Sequence, residues 1–287
     1  MKFAVFTVSV PEWDPAHAAE EIAAAGYDGV EWRVTDQAAS PDGRPGFWAG
    51  NRCTWPASSL AENIPAIKKI TADARLQMPA LGTYLAPGDL EAIDAAMVAA
   101  KELGVPQLRV SSGGYDTSQS VAGQWNARRA QYGEVAKLAA RHGVRANIEI
   151  HHRQLTPSPH AAAAFLEGLD PSHVGVIHDV GNMIWEGWTE YRLGLEALGP
   201  YLAHVQVKNG STVPAGTRSD GTVEWKNTQL PLREGFADIP LLLQALDQVG
   251  YEGWVSVEDF SSLGGQTRTE RIAANLQYLR ESAPSRQ

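Results

Sequence analysis

Four side chains able to grip a cation, Glu149, Asp179, Gln206 and Glu258, each stand at or near the downstream end of a short apolar run. The runs are ANIEIHH, HVGVIHD, LAHVQVKN and WVSVEDF, whose length and Val and Ile content are those of buried strands. A carboxylate in such a place is costly unless something compensates its charge. One shared divalent cation would compensate all of them. Oxygen donors suit Mn²⁺ best, with Mg²⁺ or Co²⁺ as alternatives, and leave positions open for substrate, unlike a structural zinc site of Cys and His. The plainer alternative is that Glu149 and Glu258 are paired with Arg or Lys.

Alternate residues of a strand share a face, so Asn147, Glu149 and His151 point one way, as do His204, Gln206 and Lys208, and Ser256 and Glu258. A divalent ion holding a carbonyl oxygen and its neighbouring hydroxyl stabilises the enediolate left when a proton departs from the adjacent carbon. Isomerisation, epimerisation and elimination all pass through it. They need a base close to that proton and a group to return it. His151, with an ordinary pKa near 6.5, is the expected base, and Glu149 and Glu258 are the other catalytic candidates. Lys208, Asn182, Glu31, Arg109 and His204 are the candidate substrate contacts. Duller readings stand beside these: His151 as a mere hydrogen-bond donor, Glu31 paired with Arg33, Lys208 as the partner of Glu258. His152 is expected to point outward, and His178 to pack beneath a helix.

Eight strands are predicted to carry these residues, at 2–10, 29–34, 77–84, 107–111, 146–151, 174–179, 203–208 and 254–258. Helical spacing is read between and after them, at 16–25, 59–74, 89–103, 124–141, 158–169, 189–198, 239–249 and 269–281. Gly26, Gly104, Gly143 and Gly250 fall where helices need a left-handed cap. Eight such units close naturally into a (β/α)8 TIM barrel, one domain over 1–287. A doubly wound sheet is the runner-up, but VSVPEWD after the first strand carries no Gly-rich phosphate loop. Long connections at 34–57, 111–123 and 209–237 bring Trp48, Trp55, Tyr115, Trp225 and Phe236 to the C-terminal mouth. They are expected to form an apolar lid over a ring-shaped substrate.

Composition agrees with an enzyme core and restricts its partners. With 44% hydrophobic residues in 287, one large core can be built, and the net charge of −9 argues against nucleic acid. No run suits a membrane span, and MKFAVFTVSV lacks the look of a secretory signal, so a cytoplasmic protein is expected. Cys53 stands alone and has no internal disulfide partner.

The segments Ile148-Glu149-Ile150-His151, His178-Asp179-Val180-Gly181-Asn182, His204-Val205-Gln206-Val207-Lys208-Asn209 and Val257-Glu258 resemble the sugar phosphate isomerase/epimerase family, with its xylose isomerase-like TIM barrel. The resemblance runs from GYDGVEW to GYEGWVSVE, nearly the whole chain. It implies that Glu149, Asp179, Gln206 and Glu258 bind one divalent metal. Many relatives place His at the position of Gln206, and hydroxypyruvate isomerases place Gln there; His204 is the alternative ligand. Ketohexose 3-epimerases carry His where Asn182 stands, which puts free-ketohexose epimerisation in doubt. Endonuclease relatives use extra His ligands that this chain lacks.

The expected activity is a divalent-metal-dependent sugar isomerase or epimerase acting on a keto sugar or related polyol through a metal-stabilised enediolate. The alternative is the catalytic subunit of a C-glycoside deglycosidase, cleaving 3-keto-glycosides by elimination. The first would work as a homo-oligomer, the second beside a small β-rich subunit.

Overall fold

Alternation along the strands sorts apolar from polar side chains. In the computed structural model, which describes residues 1–284, Val174 and Val176 of one strand and Val205 and Val207 of the next are fully buried, and the residues between them are the chemically interesting ones. The ring of parallel strands runs β1 (Lys2–Phe6), β2 (Gly29–Val34), β4 (Leu81–Thr83), β5 (Gln107–Arg109), β6 (Arg145–Glu149), β7 (Val174–Asp179), β8 (Leu202–Val207) and β11 (Trp254–Val257), and the β1 to β2 pairing closes it. The last three residues of the expected domain, 285–287, lie outside the described residues.

Helices α1 (Pro15–Ala24), α2 (Leu60–Asp73), α3 (Leu90–Leu103), α4 (Val121–His142), α5 (Pro159–Leu166), α7 (Tyr191–Leu198), α8 (Ile239–Gln248) and α9 (Arg268–Ser282) pack outside the ring. One further turn, α6 (Val180–Met183), follows β7 directly. Starts and stops are chemical. The Asp14 side chain accepts from the His17 amide ahead of Pro15, and Gly104 and Gly143 end α3 and α4 at φ +73° and +69°. Trp32 of β2 is fully buried and donates from Nε1 to Thr71 of α2 at 3.1 Å, which fastens helix to sheet.

Six of the eight strands end one to four residues before their predicted limits, β2 and β7 end as predicted, and the strand expected at 77–84 is shortened mainly at its upstream end. Residues 7–9 form a 3₁₀ turn rather than the end of β1, and of 77–84 only Leu81–Thr83 is ladder, with Gln77 making a single bridge to Gly29. Segment 209–237 is not a plain connection: it contains a two-stranded antiparallel ribbon, β9 (Asn209–Thr217) with β10 (Val223–Leu230). Its signal was present in Asp220-Gly221, a turn pair between two β-prone runs. A short strand, β3 (Thr54–Trp55), pairs with β2 outside the ring. Trp55 there is packed edge-on to Trp32, with ring centroids 6.0 Å apart, so it belongs to the core and not to a lid.

Candidate metal centre and its cavity

Strand register brings the predicted ligands together. Asp179, Gln206 and Ser256 are aligned across β7, β8 and β11. Glu149 ends β6, and Lys208 and Glu258 follow β8 and β11 by one residue. The close approach of Lys208 to α6 depends on Gly181, where a Cβ would meet the Lys208 side chain and its carbonyl at 2.1 and 2.8 Å. A larger residue there would push Lys208 out of place.

Glu149, Asp179 and Glu258 are buried, and each offers a carboxylate oxygen within 4.8 Å of the others. Two cations lie among them. Lys208 Nζ donates to Asp179 Oδ2 and Glu258 Oε2, and Arg109 Nη1 donates to Glu149 Oε2. Three negative groups against two positive ones leave a charge unanswered. Burial pushes Asp179 up to about 8, with Glu258 and Glu149 adding to the effect against the pull of Lys208. Burial raises Glu258 as well, opposed by Lys208 and reinforced by Glu149. Burial would also lift Glu149, but Arg109, then His151 and Lys208, hold it below the ordinary carboxylate range. The cluster has the electrostatic character of a cation site, with the Lys208 ammonium standing where positive charge is wanted.

Gln206 supplies the second sign of fit. Its Nε2 donates to Glu31 Oε1 at 3.0 Å, while its Oε1 is buried with no hydrogen-bond partner among the described residues. An orphaned buried amide oxygen in register with Asp179 is an acceptor without a donor, and its lone pairs are free for a cation. Three carboxylates and one amide oxygen make an all-oxygen set suited to a hard divalent cation.

Above the carboxylates lies a cavity of about 270 Å³. Its lining includes the polar Arg109, Ser111, His151, His152, Gln154 and Asn182 and the aromatic Trp48, Tyr84 and Phe260. Trp48 and Phe260 touch at 4.9 Å between ring centroids, and the Arg109 guanidinium lies 4.1 Å from the Tyr84 ring.

The two adjacent histidines share one tautomer, which their partners dictate. His151 Nδ1 is 2.7 Å from the His152 carbonyl oxygen, which can only accept, so Nδ1 carries the hydrogen and Nε2 keeps its lone pair. Asn182 Nδ2 lies 2.8 Å from Glu149 Oε1, 3.0 Å from Asp179 Oδ2 and 3.1 Å from the Ile150 carbonyl. All three accept, so Asn182 Oδ1 must face His152 Nδ1, at 3.2 Å. Burial lowers both rings below the ordinary histidine range, His151 against the opposing pull of Glu149. Each therefore holds an unprotonated Nε2 at neutral pH.

Several sequence expectations change here. His152 lines the cavity instead of pointing outward. Glu31 and His204 do not reach it: both are fully buried, and His204 Nε2 lies 3.0 Å from Glu31 Oε2 and 3.1 Å from Ser256 Oγ. Glu31 pairs with neither Arg33 nor solvent, and Arg33 instead donates to Gln37 and Thr54. Burial would raise the Glu31 carboxyl, but the His204 ring and hydrogen bonds from His204, Ser256 and Gln206 hold it below its usual value. Asn182 is spent largely on Glu149 and Asp179. Of the expected lid, Trp48 alone meets the cavity; Tyr84 and Phe260 were missed, although Phe260 shares a face with Glu258 by simple alternation. His178 has opposite parity to Asp179 and is fully buried, with no hydrogen-bond partner for either ring nitrogen among the described residues.

Fold and site together define a closed (β/α)8 barrel with a buried acidic cluster at the C-terminal ends of its strands. Residues 19–282 match the xylose isomerase-like TIM barrel model, and the chain belongs to that family, the sugar phosphate isomerase/epimerase group of the sequence reading. No curated protein matches the chain. Among solved structures, a 3-keto-D-glucoside 4-epimerase from E. coli superposes with a TM-score of 0.73 at 17% identity, covering 98% of this chain and 99% of that one. A D-psicose 3-epimerase from Clostridium cellulolyticum H10 gives 0.71 at 17% identity, over 99% and 100%. The IolI protein with a bound zinc atom gives 0.72 at 17% identity, over 98% of both chains. At such identity these likenesses establish the shared fold. They do not by themselves assign its chemistry.

Proposed function

We propose that this protein is a divalent-metal-dependent isomerase or epimerase acting on a keto sugar or related polyol. The observation that carries the reading is the convergence of Glu149, Asp179 and Glu258 beneath a cavity that also presents two unprotonated imidazoles. Glu149, Asp179, Glu258 and Gln206 would hold the cation, with Mn²⁺ the favoured ion. When bound, it would supply Lewis-acid stabilisation of charge developing on a carbonyl oxygen. The chain's own groups do the rest. His151 Nε2 would take a proton from the carbon beside the carbonyl, and His152, whose ring stacks on that of His151 at 4.4 Å, would offer a second acceptor. Arg109 holds Glu149 ionised, and the aromatic lining keeps water from one side of the substrate.

The aromatic lining favours a second reading, elimination from a 3-keto-glycoside in the manner of a C-glycoside deglycosidase. Trp48 and Phe260 offer a stacking surface for a flat aglycone. A small partner subunit would accompany that activity, and a homo-oligomer the first; either is proposed to work in the cytoplasm. The test is a panel of keto sugars and 3-keto-glycosides in D₂O with Mn²⁺. The first reading requires deuterium incorporation beside the carbonyl with retention of the skeleton, the second release of the aglycone. Glu258→Gln should lower turnover by roughly 100-fold or more while the barrel stays folded. Full activity in that variant would refute both.

A further inference from the structure

We propose that Glu31 is a positioning residue for the metal centre, acting through Gln206; this rests on the metal-dependent reading above. An amide can bind a cation only through its oxygen, because the nitrogen lone pair is delocalised and both its hydrogens point outward. Whatever holds the amide nitrogen therefore decides whether Gln206 is a ligand. Glu31 holds it: the ionised carboxylate can only accept, and its Oε1 takes the hydrogen bond from Gln206 Nε2 at 3.0 Å. A flipped amide would set oxygen against oxygen. The second carboxylate oxygen is fixed as well, since Oε2 lies 3.0 Å from His204 Nε2, and that nitrogen lies 3.1 Å from Ser256 Oγ.

The arrangement spans three strands, β2, β8 and β11, and none of Glu31, His204, Gln206 or Ser256 is exposed at all. No substrate reaches Glu31, so its buried charge serves the fold or the ligand. A purely structural role leaves the lone Gln206 Oε1 unexplained, since that oxygen is buried and has no partner among the described residues. A ligand-orienting role explains both ends of the same amide. It also separates Gln206 from His204: the imidazole is the carboxylate's second tether. The consequence is a four-oxygen site whose fourth donor is set by a residue 175 positions away in sequence.

Mn²⁺ itself is the probe, titrated into metal-stripped protein and followed by electron paramagnetic resonance and calorimetry. Glu31→Gln can offer Gln206 either a donor or an acceptor, so the amide is no longer pinned, and Mn²⁺ affinity should fall roughly 10- to 100-fold. Gln206→Leu, nearly the same shape without the oxygen, should lose as much, and the double variant no more than either alone. A merely structural Glu31 would lower the melting temperature and leave the dissociation constant of folded protein unchanged, which overturns the proposal. His204 Nδ1 is also buried without a partner among the described residues, so undiminished Mn²⁺ binding by Gln206→Leu would equally overturn it and transfer the fourth position to His204. Absence of Mn²⁺ binding by the unaltered protein would instead defeat the metal-dependent reading itself.

Discussion

Two sets of buried polar groups sit side by side on the same inward strand faces, and they are built on opposite principles. In the inner set, Glu31, His204, Gln206 and Ser256, one carboxylate is matched by hydrogen bonds from its neighbours, and none of the four lines the cavity. The outer set, Glu149, Asp179, Glu258, Lys208 and Arg109, is crowded with charge, and all but Asp179 line it. In the inner set the Glu31 charge is answered by its neighbours, and only Gln206 Oε1 and His204 Nδ1 are left without a partner among the described residues. The outer set carries surplus negative charge, which is tolerable in a reactive site and would be wasteful in a core.

Lys208 is the sharpest place to break that contrast. Replacing it with Met removes the ammonium between Asp179 and Glu258 and leaves buried carboxylates facing each other. Breaking a buried pair this way costs about 3–5 kcal/mol. At pH 8 without metal, the melting temperature should fall by about 10 °C, and saturating Mn²⁺ should restore most of it. Ser256→Ala, in the inner set, should lose far less, and what it loses should not return with Mn²⁺. A Lys208→Met variant as stable as the parent without metal would show that the outer set is not held by that charge.

The back of β7 offers a contrast of a different kind. Among the described residues neither ring nitrogen of the buried His178 finds a hydrogen-bond partner, and burial lowers its pKa to about 4. In the unfolded chain the ring titrates near 6.5, so between those two values the unfolded state binds more protons and stability falls as pH falls. The loss reaches ~3 kcal/mol at pH 4 and is absent above about pH 7. His178→Leu should flatten that part of the stability curve, measured by urea unfolding at pH 4.5 and 7.5. An equally steep curve in the variant would place the acid sensitivity elsewhere.

Much of this was legible in the chain because burial writes itself into alternation. Val174, Val176, Val205 and Val207 announce strands, and carboxylates at their ends announce a site. Strand parity then sufficed to group Glu149, Asp179 and Glu258 before any coordinates. The role of Glu31 was not legible, since a carboxylate within a strand reads the same whether it faces substrate or a glutamine 175 residues away. Parity could not place His152 either, because the chain leaves the strand after Glu149 and alternation ends with the ladder. Aromatic residues misled for a similar reason: Trp55 and Trp48 differ only in whether the loop between them folds back, and one is core while the other is rim.

Trp48 gives the smallest expected effect and separates the two functional readings. It is 57% exposed and packs on Phe260 at the cavity edge, so Trp48→Ala should change stability by no more than about 0.5 kcal/mol. No hydrogen bond ties it to either charge set among the described residues, and Mn²⁺ affinity should be unaltered. If the rim stacks on an aglycone, the variant loses about 1 kcal/mol of that contact, a roughly fivefold rise in KM for an aryl 3-keto-glycoside with kcat unchanged. A free keto sugar has no such group to stack, and its KM should then stay where it was. Equal rises for both substrates would mean that the indole meets the sugar ring itself, which favours the isomerase reading over elimination.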